Sequence, residues 1–147
     1  MSRLRSSLCV TAMAAGLAFA GGAAQAVTGR PSAHQRADAV FSPPVTLHRN
    51  QALTSGNGRA ILRLQEDGNF VLYKDGRPVW QAPNAWSHGV SAVFQEDGNL
   101  VVYAGGGRPV WASSTWHRGA YLAVQDDGNV VIYNGNRRPV WATNTGD

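Results

Sequence analysis

One nine-residue segment recurs three times in this chain at an offset of 30 residues. Gln65 to Tyr73 reads QEDGNFVLY, Gln95 to Tyr103 reads QEDGNLVVY and Gln125 to Tyr133 reads QDDGNVVIY. A glycine-containing turn and then Arg-Pro-Val-Trp follow each copy, ending at Trp80, Trp111 and Trp141; the second and third turns are one residue longer than the first. A period of this length marks a repeated supersecondary unit, and a unit so small cannot bury its apolar side alone. Three units therefore predict a closed, pseudo-threefold arrangement of small sheets.

The units read as β structure. From Val45 onward Gly, Asn, Asp and Pro punctuate short runs rich in Val, Leu, Tyr and Trp, and no stretch keeps a helical period for three turns. Each Asp-Gly pair signals a hairpin, because glycine supplies the positive φ that a tight reversal requires. Gln65 then ends an incoming strand, Asp67 sits in the turn, and Asn69, Val71 and Tyr73 follow at period two on the outgoing strand, sharing one face. The alternate positions Phe70, Leu72, Leu100, Val102, Val130 and Ile132 are all apolar and are expected to form the core. Pro78, Pro109 and Pro139 suit the start of a third strand, where no ladder hydrogen bond is lost.

The N-terminal segment has a different character. Arg3 and Arg5 precede an apolar, Ala-rich stretch from Leu8 to Ala20, which closes on Ala24-Gln25-Ala26. That is the layout of a secretory signal peptide over residues 1–26, cleaved after Ala26, so a secreted product is expected. The apolar stretch is too short to span a bilayer. Residues 27–40 show no sustained period and read as a flexible lead-in to a domain over residues 41–147. The only cysteine, Cys9, would leave with the leader, so packing alone must hold the mature chain. Without Arg3 and Arg5, 11 basic residues face 9 acidic ones. So weak a charge does not argue for nucleic acid or an anionic membrane surface as partner.

The repeated face carries its own chemistry. Each copy aligns a carboxamide, a carboxylate, a second carboxamide, an aliphatic group and a phenol over roughly 10 to 13 Å, about the size of one sugar ring. An ionised Asp only accepts hydrogen bonds, Gln and Asn both donate and accept, and the Tyr hydroxyl does either. A solvated sheet face also alternates polar with apolar, but it requires polarity only, whereas here Gln, Asp, Asn, Val and Tyr recur by identity. The candidate carbohydrate-binding residues are thus Gln65, Asp67, Asn69, Val71 and Tyr73; Gln95, Asp97, Asn99, Val101 and Tyr103; and Gln125, Asp127, Asn129, Val131 and Tyr133.

The pattern Gln-x-Asp-x-Asn-x-Val-x-Tyr resembles the mannose-binding motif of the monocot, or bulb-type, lectins, and it is complete three times. The resemblance covers about residues 41–147, including the closing Trp141-Ala142-Thr143-Asn144-Thr145-Gly146. It implies an all-β chain with the β-prism II fold: three four-stranded antiparallel sheets with pseudo-threefold symmetry and a tryptophan of each sheet near the centre, here Trp80, Trp111 and Trp141. It also implies that Asp and Asn read the axial 2-hydroxyl of mannose, Gln the 3-hydroxyl and Tyr the 4-hydroxyl, while Val touches the ring carbons. The expected partner is then a mannose-containing glycan or polysaccharide, and no cofactor is called for. The family's habit of exchanging its last strand leaves open a homodimer formed in that way. The disulfide of plant members has no counterpart.

Other functions find less support. Glu66 and Asp67, or Asp126 and Asp127, are adjacent carboxylates, but chain neighbours diverge, whereas glycoside hydrolysis needs two carboxyls facing each other across the bond. No enzyme is expected. His34, His48, His88 and His117 lack ligand spacing, so no metal site is expected either. Trp86 and Trp116 can stack on sugars but are read as packing at sheet corners. The main rival keeps the fold and changes the purpose: a lectin-like bacteriocin or antimicrobial protein that docks on target cells.

Overall fold

The computed structural model describes residues 38–147; the leader expected over residues 1–26 and most of the expected lead-in lie outside the described residues. Twelve strands follow in order: β1 (Ala39–Phe41), β2 (Val45–His48), β3 (Gln51–Thr54), β4 (Ala60–Leu64), β5 (Phe70–Lys74), β6 (Arg77–Gln81), β7 (Gly89–Phe94), β8 (Leu100–Ala104), β9 (Pro109–Ala112), β10 (Tyr121–Val124), β11 (Val130–Tyr133) and β12 (Pro139–Ala142). A 3-10 turn, Gly105–Gly107, joins β8 to β9.

Each repeat supplies three antiparallel strands, and a fourth comes from the N-terminal stretch. The first sheet runs β3-β4-β5-β6, the second β9-β8-β7-β2 and the third β12-β11-β10-β1. These are the three four-stranded sheets that the repeats and the β-prism II resemblance imply. β1 pairs Phe41 with Leu122, Val40 with Ala123 and Ala39 with Val124. Ala39 and Val40, assigned from sequence to the lead-in, are therefore strand residues. Three residues ahead of two prolines carry no periodic signal, and only the distant β10 gives them a partner. In this chain β12 pairs with β11 and so completes its own sheet.

The inward positions are those that period two selects. Phe70, Leu72, Val102, Val130 and Ile132 are fully buried and Leu100 nearly so; Leu62, Leu64, Phe94, Leu122 and Val124 join them from the preceding strands. A register slip recurs where β6, β9 and β12 begin. Tyr73 pairs with Pro78 but Leu72 with Trp80, Tyr103 with Pro109 but Val102 with Trp111, and Tyr133 with Pro139 but Ile132 with Trp141. The one extra residue in each slip moves the tryptophan from the outer face to the inner one, the usual effect of a bulge. Pro109 and Pro139 open their strands as expected, while β6 starts one residue earlier, at Arg77. All three strands lie at sheet edges, where proline removes no ladder bond.

The three tryptophans meet on the pseudo-threefold axis. Ring centroids are 5.4 Å apart for Trp80 and Trp111, 5.6 Å for Trp80 and Trp141, and 5.7 Å for Trp111 and Trp141, all edge-to-face. Such pairs add about 0.5 to 1.5 kcal/mol each beyond area burial. This cluster does the work that a disulfide would do elsewhere: it ties three sheets together at one point.

Candidate functional site

Each nine-residue copy forms the hairpin between the second and third strand of its sheet. Gln65, Gln95 and Gln125 stand just past the incoming strand, and their N–H groups donate to the carbonyls of Asn69, Asn99 and Asn129 at 2.8, 2.8 and 2.9 Å. Gly68, Gly98 and Gly128 adopt φ of +88°, +87° and +94°, as the reversal requires. Gly98 has a second reason to lack a side chain, because a Cβ there would lie 2.2 Å from the carbonyl oxygen of Gly119.

The turn holds its carboxylate in one place. The backbone N–H of Asn69 donates to Asp67 Oδ1 at 2.9 Å, and Asn99 with Asp97 and Asn129 with Asp127 repeat the bond at 2.9 Å. Gln65 Nε2 donates to Asp67 Oδ1 at 3.1 Å, and Gln95 Nε2 to Asp97 Oδ2 at 3.0 Å. The hydroxyls of Tyr73 and Tyr103 donate to Gln65 Oε1 and Gln95 Oε1. In the third hairpin the glutamine points its other end at the phenol, and Gln125 Nε2 donates to the Tyr133 hydroxyl at 3.0 Å. Tyr133 also stacks on Tyr121, with centroids 5.1 Å apart. The Asn69 N–H and the Gln65 amide hold the Asp67 carboxyl below the usual carboxylate range; partial burial opposes them and the positive charge of Arg49 adds to them.

Four of the five side-chain types, Gln, Asp, Asn and Tyr, are thus partly open to solvent; in the first two hairpins one chain of hydrogen bonds joins them, and in the third they form two pairs, Gln125 with Tyr133 and Asp127 with Asn129. The fifth differs from expectation. Val71, Val101 and Val131 lie on the same outer face, yet they are only 3 to 4% exposed. Their cross-strand neighbours close over them: Arg63 and Gln81 flank Val71, Val93 and Ala112 flank Val101, and Ala123 and Ala142 flank Val131. The valines form a floor rather than a projecting contact.

The asparagine side chains are set by residues that the motif does not contain. Asn99 Oδ1 accepts from Ser113 Oγ and from the Thr115 N–H, both at 3.1 Å. Asn129 Oδ1 accepts from Thr143 Oγ1 at 3.0 Å and from the Thr145 N–H at 3.2 Å. The threonines also reach back into the turn, since Thr115 Oγ1 donates to the Gly98 carbonyl and Thr145 Oγ1 to that of Gly128, each at 2.6 Å. In the first hairpin Asn69 is held otherwise: its Oδ1 accepts from the Phe70 N–H at 3.0 Å and its Nδ2 donates to Gln81 Oε1 at 2.9 Å. A Ser/Thr-x-Thr segment two residues after Trp111 and Trp141 is the signal in the sequence that marks these anchors.

Trp86 and Trp116 correct the expectation of corner packing. They are 64% and 60% exposed. Trp116 lies on the outside of its loop, against the His117 ring at 4.1 Å between centroids. The loop itself is fixed on either side of it, by the Thr115 N–H on Asn99 and by the His117 N–H on the Asp97 carbonyl at 2.6 Å. With Thr115 buried and the His117 backbone bonded to the hairpin, the indole is left in solvent beside the second hairpin.

The adjacent carboxylates are divided between separate tasks. Asp126 Oδ1 accepts from the Asn57 N–H at 2.9 Å, tying the first sheet to the third, while Asp127 stays within its turn. Glu66 accepts from Asn50 Nδ2. Among the described residues no three His, Cys, Asp or Glu side chains gather as metal ligands, and no helix is long and apolar enough to cross a membrane.

No protein-family model and no curated protein sequence matches the chain. Solved structures do. The Japanese Marasmius oreades lectin is 32% identical, the match covering 72% of this chain and 90% of that one, with a TM-score of 0.67. Monomeric monocot mannose-binding lectins from Gastrodia elata are 33% identical over 76% of this chain and 99% of theirs, with a TM-score of 0.61. The mannose-specific agglutinin of snowdrop (Galanthus nivalis) bulbs, solved with methyl α-D-mannoside, is 34% identical over 76% of this chain and 98% of that one, with a TM-score of 0.55. These are lectins and not enzymes. Identity above 30% across nearly the whole of such proteins, on top of a shared three-sheet architecture, places this chain in the monocot mannose-binding, or bulb-type, lectin family.

Proposed function

We propose that the protein binds α-mannose-rich glycans through hairpin pockets of the form Gln-x-Asp-x-Asn-x-Val-x-Tyr. The observation that carries this reading is the Asp carboxylate fixed by the Asn N–H at 2.9 Å in all three hairpins, with a Gln–Tyr pair beside it. An acceptor held in place can pair one hydroxyl of a hexose and leave its own partner groups unsatisfied when that hydroxyl is missing or inverted, which is the basis of polar discrimination. As the family resemblance implies, Asp and Asn take the axial 2-hydroxyl, which glucose carries equatorially. The mannoside bound to the snowdrop agglutinin supports the sugar class.

One such pocket is shallow, and a millimolar dissociation constant, worth about 4 kcal/mol, is the expected strength for a single sugar. Useful affinity then comes from several pockets on one dense glycan, where avidity rises by about 10² to 10⁴ when spacing allows joint contact. A homodimer that exchanges β12 would raise the number further, and light scattering on the purified protein reports whether it forms. Export after cleavage at Ala26 belongs to the same reading, and the intact mass of the released chain tests it. A glycan array with free mannose as competitor tests the function: retention on mannose-rich glycans, reversed by mannose, supports it, and an array without mannose-dependent signal overturns it.

A further inference from the structure

Three complete motifs imply three equal pockets, but the residues behind them are not equal. Backbone bonds fix the correspondence. Ala82, Ser113 and Thr143 donate their N–H groups to the carbonyls of Phe70, Leu100 and Val130 at 2.9, 2.8 and 2.9 Å. The carbonyl of Ala85 accepts from Gly89 at 3.0 Å, as that of Thr115 accepts from Gly119 at 2.9 Å. The hydroxyl that holds the asparagine in the second and third hairpins (Ser113, Thr143) and the Thr115 hydroxyl that holds the turn glycine carbonyl are thus replaced by buried alanines in the first.

The consequences can be followed bond by bond. In the second and third hairpins the Ser113 and Thr143 hydroxyls accept from the buried N–H groups of Leu100 and Val130 at 3.0 Å. Ala82 offers the corresponding Phe70 N–H nothing, and a buried donor left without a partner is costly. Asn69 supplies the acceptor, turning its Oδ1 onto Phe70. The turned amide then gives one of its two N–H donors to Gln81, which faces Val71 across the strands where Ala112 and Ala142 stand in the other sheets. Among the described residues, the side-chain amides of Asn99 and Asn129 meet no protein acceptor, so both of their donors are left for a ligand or solvent.

We infer that the mannose pockets are unequal: the second and third are competent, while the first binds mannose at least about tenfold more weakly because Ala82, Ala85 and Gln81 re-aim and occupy Asn69. A tenfold loss is what one hydrogen bond to the sugar is worth. This inference rests on the proposed mannose binding and assigns it to two sites of three.

The test is an amide NMR titration of the folded protein with methyl α-D-mannoside, following Gly68, Gly98 and Gly128 in the three turns together with the side-chain amides of Asn69, Asn99 and Asn129. The expected result is saturation at the second and third hairpins while the first lags by tenfold or more. The triple variant Gln81→Ala, Ala82→Ser, Ala85→Thr brings the first hairpin into line with the others. The double variant Asp97→Ala, Asp127→Ala, which leaves the alanine-backed site untouched, loses at least nine-tenths of the wild-type affinity. Three hairpins with one common dissociation constant overturn the inequality, and so does a double variant that binds like wild type. A well-dispersed spectrum with no shift at any hairpin overturns the proposed function itself.

Discussion

Asp97 Oδ1 accepts the N–H of Asn99 two residues along the chain, and this 2.9 Å bond presets both residues before any ligand arrives. The pair lies at a five-residue reversal closed by backbone bonds, and a carboxylate that swings away gives up its bond to the Asn99 N–H. Asp97→Ala removes that acceptor and costs about 1 kcal/mol of stability. Its effect on mannoside binding at the second hairpin is expected to be near-complete loss, and chemical denaturation beside the binding titration separates the two.

Ser113 and Thr143 hold the pockets from behind. Ser113→Ala removes the acceptor of the Leu100 N–H and one of the two donors that hold Asn99 Oδ1, reproducing in the second hairpin the change that Ala82 makes in the first. A stability loss of about 1 to 2 kcal/mol is expected, with the Asn99 side-chain amide shifting toward the environment of Asn69 in the NMR spectrum. Thr143→Ala is expected to do the same at Asn129. An unchanged Asn99 resonance would contradict the anchoring.

The two classes of tryptophan should separate cleanly under mutation. Trp111 touches Trp80, Trp141 and Phe70, and Trp111→Ala is expected to cost about 3 kcal/mol in urea unfolding. Trp116→Ser removes a ring that is 60% exposed and should change stability by no more than about 0.5 kcal/mol.

Acid titration has a sign fixed by the bonds to Asp67. Its carboxyl is held below the ordinary range chiefly by the Asn69 N–H, so the charged form is favoured in the folded chain. The stabilisation is therefore complete above the usual carboxylate value of about 3.9 and disappears as pH falls through the lower folded value. Carboxyl NMR is expected to place the Asp67 midpoint below that of an unstructured Asp, and a midpoint at or above it would contradict the turn geometry. Asp147, beside Lys74 and Arg59, shifts the same way, led by its hydrogen bond from Lys74.

The sequence made some of these features legible and concealed others for physical reasons. Phe70, Leu72 and their counterparts were readable as core because period two is a local property of a strand. The tryptophan triad follows from the family likeness, yet the bulge that turns each ring inward leaves only one extra residue as its trace. β1 was invisible because its partner is about 80 residues away. The difference between the hairpins escaped the motif itself: all five motif residues are intact around Asn69, and the change lies in Ala82, which follows its tryptophan at the same distance as Ser113, and in Ala85, which stands one residue later than Thr115. The average burial of tryptophan reads Trp86 and Trp116 as packing, but it says nothing of a loop whose backbone on both sides of Trp116 is bonded to the hairpin.

The most direct measurement is a calorimetric or saturation-transfer comparison of methyl α-D-mannoside with methyl α-D-glucoside on the folded protein. The two sugars differ only in the 2-hydroxyl that the fixed Asp and Asn are proposed to read. The expected result is millimolar binding of the mannoside and at least about tenfold weaker binding of the glucoside. Equal affinity for both sugars would contradict the account at its centre.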